Sequence, residues 1–447
     1  MDDFEFVTET IKKKPINKKR IGLKILFNVA MGILFGLVAC LIFVLAEPKM
    51  YAKMHPEKPN LISIPKDETE ENPEDTEIPA KAENVSDVTP DTSTEDEKDN
   101  EDAQLENNEP AEIINQIIEE KEFTLDDYKM LYKQLGTVAT KAARSLAVVT
   151  AVSDETDWFM NTYENGNKTT GIILADNGKE LLIIANSSSI SSAKDIDVKF
   201  CNGKSFNGTV KKSDSDTGLA VIAVNLEEID DNTKNSMTMA TLGNSSLANL
   251  TGTPVIAIGS PLGISDSMAV GLITSNNYVY DITDSNLRYM TTDIYGSLSG
   301  SGVIIDFEGK ILGIIFQGGT SSDTKNLIHA YGISDIKSKI EKLSNGQDLA
   351  YLGIHGTDVT DEINESLGVP KGAYVTQVTV DSPAMREGIQ NGDVIVKLGT
   401  TEITSFTDYK EAMLKCQPGD LMMVTVKRLS KDGYIELSYE IVLGAKP

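Results

Sequence analysis

The sequence predicts a mainly β protein, built from barrels or sandwiches and divided into more than one folded domain. Three observations carry this reading. From Val255 to Phe316, short β-branched runs such as Val255-Ile256-Ala257-Ile258 alternate with Gly, Ser and Pro about every ten residues, the signature of closely spaced strands and tight turns. The chain has 447 residues, and hydrophobic cores stop growing beyond about 250 residues. An acidic stretch almost free of aromatic residues separates an amino-terminal apolar run from everything β-rich.

The first 24 residues carry Lys12, Lys13, Lys14, Lys18, Lys19, Arg20 and Lys24. An uncharged apolar run over residues 25–46 follows. At about 1.5 Å per residue it is long enough to cross a hydrocarbon core of about 30 Å. A cleaved signal peptide is the rival reading, but the run exceeds the usual apolar length and no small-x-small cleavage site follows. The segment is therefore expected to be an uncleaved single-pass anchor in the cell membrane. Basic residues ahead of the helix put the amino terminus in the cytoplasm and the remainder outside.

Residues 47–122 are expected to be a disordered acidic linker. Between about Ile64 and Glu122 they are mostly Asp, Glu, Asn, Pro, Ser and Thr, too little apolar surface to offset chain entropy. Residues 113–121 are a short helical exception. A chain of about 60 flexible residues spans roughly 40 Å, and like charges extend it. The net charge of −27 excludes nucleic acid as a partner, because a phosphate backbone needs clustered Lys and Arg. Cys40, Cys201 and Cys416 fall in three segments with no paired spacing, so neither a disulfide framework nor a metal site is indicated, and no cofactor is expected.

Thr124 with Asp127 marks a helix start, and Leu125, Tyr128, Leu131, Tyr132, Leu135 and Val138 supply an apolar stripe. Strands are then expected at 145–152, 171–175, 181–185, 196–200, 207–210 and 219–224. A second set spans 255–340 and closes with a helix near 333–343.

The order "GSPLG" (Gly259–Gly263), Thr291-Thr292-Asp293, the Ser/Gly-rich turn Ser297–Gly302 and "GKILGI" (Gly309–Ile314) resembles the carboxy-terminal barrel of HtrA/DegP-type, trypsin-like serine proteases. The resemblance implies a double barrel over residues 123–345. Tyr351-Leu352-Gly353-Ile354, Asp381-Ser382-Pro383-Ala384 and Gly388-Ile389-Gln390-Asn391-Gly392-Asp393 likewise resemble an HtrA-type PDZ domain over residues 349–445. That implies a carboxylate loop at Tyr351, Leu352 and Gly353, with Ile354 opening the strand to which a peptide would add.

A trypsin-like enzyme needs a hydroxyl nucleophile, a base and a carboxylate that orients the base. Aligned on the family's motifs, Ser188 occupies the histidine position, Gly218 the aspartate position and Gly300 the nucleophile position. Ser299 and Ser301 remain as candidate hydroxyls one residue away. Asp214 and Asp216 are displaced from the aspartate position and read as turn residues. The three histidines are His55, His329 and His355, none of them in the first barrel; His329 reads as a satisfied strand residue and Trp158 as a packing residue. The turn at Leu298–Gly302 either keeps donors for a peptide carbonyl or merely joins two strands. Loss of nucleophile and base costs about a millionfold in turnover.

The expected protein is thus a membrane-tethered, proteolytically inactive module that binds peptide C-termini or unfolded polypeptides. The alternative is an active HtrA-family endopeptidase of envelope quality control with a non-standard site. A homotrimer is also implied by the resemblance.

Overall fold

The computed structural model describes residues 26–38, 59–67, 123–152, 154–156, 162–164, 167–191, 193, 195–247, 249–317 and 324–446. Outside them lie the basic segment, the ends of the expected membrane helix, residues 68–122 of the linker, Cys40, His55 and Trp158. Residues 26–38 are helical with exposed side chains. Among the described residues no helix is long and apolar enough to cross a membrane.

Helix α1 (Leu125–Ala143) starts with a reciprocal cap, Thr124 Oγ1 accepting from Asp127 N and the Asp127 carboxylate accepting from Thr124 N. Its apolar stripe is only half used. Leu135 and Ala139 are buried, whereas Leu125, Tyr128, Leu131 and Tyr132 face solvent.

Strands β1 (Leu146–Val152), β2 (Asn167–Asp176), β3 (Glu180–Asn186), β4 (Asp195–Lys199), β5 (Ser205–Asp214) and β6 (Leu219–Asn225) close a barrel in the order β1-β2-β3-β6-β5-β4. The second barrel comprises β7 (Pro254–Ser260), β8 (Ser267–Ile282), β9 (Ser285–Tyr295), β10 (Ser301–Ile305), β11 (Ile311–Ile315) and β12 (Leu327–Gly332), in the order β8-β9-β12-β11-β10-β7. Closure leaves neither sheet with a free edge. Strand β8 is long, 16 residues, and its far end forms a hairpin with β9.

The barrels meet where glycine permits it. Gly259 and Gly302 pair across β7 and β10 with φ of +110° and +128°. A Cβ on Gly259 would lie 2.9 Å from Thr170 of β2, so a side chain there would hold the barrels apart. One apolar cluster crosses the seam, joining Ile172 and Leu219 of the first barrel to Ile256 and Val303 of the second and to Ile336 and Ile340 of helix α2 (Ile333–Ser344).

The carboxy-terminal domain has strands β13 (Ala350–Tyr351), β14 (Ile354–Asp358), β15 (Ala373–Val378), β16 (Val394–Leu398), β17 (Thr401–Glu402), β18 (Leu421–Ser430), β19 (Gly433–Val442) and β20 (Gly444–Ala445). Its sheet runs β14-β15-β16-β18-β19, and helices α3 (Asp361–Leu367), α4 (Pro383–Glu387) and α5 (Phe406–Lys415) complete it. Phe406, Tyr409 and Val424 anchor a separate core.

The linker departs from expectation at one end. Residues 61–67, expected to be disordered, lie extended along α2. Ile62 N donates to Asn345 Oδ1, Ile64 N donates to Glu341 Oε2, and Asp67 pairs with Lys337. Ile64 is buried in the seam cluster. The register has a geometric cause, since two extended residues advance about 6.6 Å and four helical residues about 6 Å. Two alternating isoleucines therefore suffice to seat this strap. We expect Ile64→Ala to destabilise the folded domains by about 2 kcal/mol, measured as a lower urea midpoint with an unchanged denaturant slope.

Candidate functional site

Between the barrels lies a cavity of about 20 Å³, lined by Thr169, Thr170, Asn186, Gly218, Ser301, Phe316 and Tyr331 among others. It has room for about one water molecule. Ser187 N donates to Gly218 O at 2.8 Å, so the segments aligned with the histidine and aspartate positions are neighbours. Neither position carries a group that moves a proton. Asn186 caps the short turn Ser187–Ser189, and its Oδ1 accepts from both the backbone N and the hydroxyl of Ser188. Gly218 has φ +67°, a left-handed turn that glycine adopts without strain.

The residual hydroxyls are held by other groups. Ser301 Oγ accepts from Thr170 N at 3.0 Å and donates to Thr170 Oγ1 at 3.1 Å, pinning one barrel to the other. Ser299 Oγ shares a 2.9 Å hydrogen bond with Ser297 Oγ. The turn also differs from the donor-presenting shape that its glycines suggested. Gly300 N donates inward to Ser297 O at 2.8 Å, and within 298–302 only Gly302 has positive φ.

The titratable groups nearby are committed elsewhere. His329 is buried in β12; its Nδ1 lies 3.1 Å from Thr291 Oγ1, its Nε2 lies 2.9 Å from Thr324 O, and Tyr289 stacks on its ring. Burial pushes its pKa down. Burial also raises the Tyr331 phenol far above its usual range, so it stays protonated at neutral pH. Lys339, whose pKa burial lowers to about 8, has the character of a lysine base. Its Nζ, however, has no hydrogen-bond partner among the described residues and stands 3.6 Å from Asp214 Oδ2. Asp214 and Asp216 are not solvated turn residues alone: Thr217 Oγ1 donates to Asp214, and Lys446 Nζ lies 2.9 Å from Asp216 Oδ2.

The carboxy-terminal domain does build a carboxylate cradle. Leu352 O accepts from Ala384 N and Gly353 O from Thr379 N, both at 2.9 Å, which turns the Leu352, Gly353 and Ile354 amides to one side. Gly353 has φ +92°, and any Cβ would collide with Ser382. The amides converge on a carboxylate that sequence reasoning missed. Leu352 N donates to Asp284 Oδ2 at 2.8 Å, Gly353 N to both oxygens at 2.9 and 3.0 Å, and Ile354 N to Oδ1 at 3.1 Å. Tyr409 Oη donates to Oδ1 at 2.7 Å. Tyr351 flanks the loop in β13, paired with β20. Asp284 sits at a two-residue hairpin turn of the second barrel with φ +57°, and the only advance signal was an Asp in a turn.

With both folded parts described, comparison with known proteins places them. Residues 169–314 match the trypsin-like peptidase domain family and residues 350–438 the PDZ domain family. In this order, a trypsin-like domain followed by a PDZ domain, the chain is similar to HtrA/DegP-type proteins. It is 29% identical over 283 residues to the serine protease Do-like HtrB of Bacillus subtilis, covering 59% of this chain and 60% of that one. It is 27% identical over 272 residues to the serine endoprotease DegS of Haemophilus influenzae, covering 59% of this chain and 74% of that one. A solved structure of the HtrA-type protease AlgW with tripeptide has the same fold, with a TM-score of 0.50 at 21% identity, covering 70% of this chain and 98% of that one.

Two outcomes follow for this HtrA-like chain. His329 is held neutral, with a pKa lowered from 6.5, so it contributes stability present above about pH 6.5 and lost as pH falls through the folded value. His329→Gln, which does not titrate, is expected to lose less stability than wild type between pH 7 and pH 5 in parallel urea titrations. Gly353→Val is expected to disrupt the cradle, seen as loss of amide protection at Leu352–Ile354 by hydrogen exchange while the barrel strands keep theirs.

Proposed function

We propose that this HtrA-like protein is a proteolytically inactive binding module, tethered to a membrane, that holds peptide C-termini or unfolded polypeptides through its PDZ domain. The observation that carries the first half is the state of Ser299 and Ser301: among the described residues, their hydroxyls hydrogen-bond to serine, threonine and backbone N–H groups, with no imidazole, amine or carboxylate on either. Without a base a serine hydroxyl remains a weak nucleophile. Removing nucleophile and base lowers turnover about a millionfold. The chemistry of the cradle supports the second half, because three convergent amides beside the edge strand β14 suit a terminal carboxylate.

The tether reading rests on the sequence: a basic cytoplasmic segment 1–24, a spanning segment 25–46 and an acidic spacer that places domains 123–345 and 349–445 outside. Oligomerisation as a homotrimer belongs to the same proposal. A second reading, an active endopeptidase with a non-standard site, draws on the names of the relatives, which are serine proteases; the chain spans only about 60% of the length of the Bacillus subtilis relative.

The two readings part on one experiment. Full-length protein is incubated with unfolded casein and, separately, with a fluorophosphonate probe. We expect no fragments above the buffer control and no labelled serine by mass spectrometry. Casein cleavage abolished by Ser299→Ala or Ser301→Ala, or a covalent adduct on either residue, would establish the second reading instead.

A further inference from the structure

The turn that joins β8 to β9 does more than reverse the chain. Its residues Thr283 and Asp284 reach into the carboxy-terminal domain, and the Asp284 carboxylate takes the three loop amides and the Tyr409 hydroxyl. Asp284 N also donates to Ile354 O at 2.7 Å, the bond by which the last residue of an added peptide strand would pair with β14. Strand β14 pairs with β15 on its other side, so the hairpin tip stands along the edge that a peptide would use. Neighbouring contacts secure it. Lys446 Nζ donates to Thr283 O at 3.1 Å, Lys410 Nζ donates to Asn286 O at 3.2 Å, and His355 Nδ1 lies 3.3 Å from Asp281 Oδ1.

The choice of residue is informative. Glycine or asparagine would meet the left-handed backbone at position 284 with less strain or charge burial. Neither offers two anionic oxygens to three N–H groups. An aspartate at φ +57° that is only 7% exposed makes sense when the site it fills requires a carboxylate.

We propose that Asp284 is an internal ligand of the PDZ cradle, standing in for the terminal carboxylate of a peptide, so that a peptide C-terminus enters only when the β8–β9 hairpin tip withdraws. This rests on the peptide-binding reading above and adds its regulation. The apparent affinity for a peptide is then the intrinsic affinity reduced by the fraction of molecules with an empty cradle. By linkage, anything that loosens the hairpin strengthens peptide binding, and a bound peptide frees the hairpin to the same degree.

The test compares full-length wild type, Asp284→Ala and the near-isosteric Asp284→Asn, each checked for a cooperative thermal transition. The probes are fluorescein-labelled Gly/Ser decapeptides ending in Val, Leu or Phe, as free acids and as C-terminal amides, followed by anisotropy. Hydrogen exchange at Leu352–Ile354 is read in parallel. We expect both variants to bind at least one free acid about tenfold or more tighter than wild type, the amides to be unaffected, and the three amides to lose protection in the variants alone. Equal free-acid affinity in wild type and variants would overturn the internal-ligand assignment and leave peptide binding standing. If no protein binds any probe, exchange decides: protection in wild type lost in the variants upholds Asp284 as the resident carboxylate while removing the peptide-binding reading, and fast exchange in all three removes the assignment.

Discussion

A carboxylate withdrawn from water must be met by donors, and the junction between the barrels and the PDZ domain is arranged around that requirement. Leaving such a charge unpaired costs several kcal/mol. Asp284 meets it with three main-chain amides and a phenol, and Asp214 with the Thr217 hydroxyl and the positive charges of Lys339 and Lys446 at 3.6 Å. Apart from the local Thr217–Asp214 bond, each partner comes from a segment distant in the chain, as with Asp284 and the loop amides or Asp214 and Lys446. The domain arrangement is consequently directional: a donor displaced by a few ångströms strands a charge, whereas an apolar interface would tolerate sliding. Burial together with Asp284 drives the Tyr409 phenol well above its ordinary range, which keeps the proton on Tyr409, where it is donated to Asp284.

The inter-barrel cleft obeys a different economy. Its polar side chains bond to each other, Ser301 to Thr170 across the seam and Ser188 to Asn186 within the first barrel. The space left over is of the order of one water. The Ser301 hydroxyl is used for cohesion between the barrels, and Gly300 N closes on Ser297 O. The polar atoms lining the cleft thus bond to one another, and the Ser301–Thr170 pair ties the two barrels together.

Much of this was legible in the residues. β-branched runs with Gly and Ser punctuation announced the barrels, and Thr124 with Asp127 announced the cap of α1. The glycine of Tyr351-Leu352-Gly353-Ile354 announced the cradle through the one conformation that a side chain forbids. The missing imidazole in the first barrel was visible by simple inspection. What stayed hidden depends on contacts distant in sequence. Asp284 lies 68 residues from the first amide it accepts, and nothing local distinguishes it from any aspartate in a hairpin. The strap at 61–67 escaped notice because two isoleucines are too few to raise the mean hydropathy of an acidic stretch, yet α2 needs only those two. The exposed half of the α1 stripe shows the converse, an amphipathic pattern for which the described residues supply no cover.

The strap has a mechanical meaning. Its attachments to Asn345, Glu341 and Lys337 are spaced about one turn apart along α2, so strap and helix overlap over roughly two turns. Tension arriving from the amino-terminal direction is therefore shared by all of them at once, as in a lap joint, and is delivered into a helix seated on the seam cluster. Pulling loads the seam first, and the same helix holds the PDZ domain through Lys342 Nζ, which donates to Cys416 O.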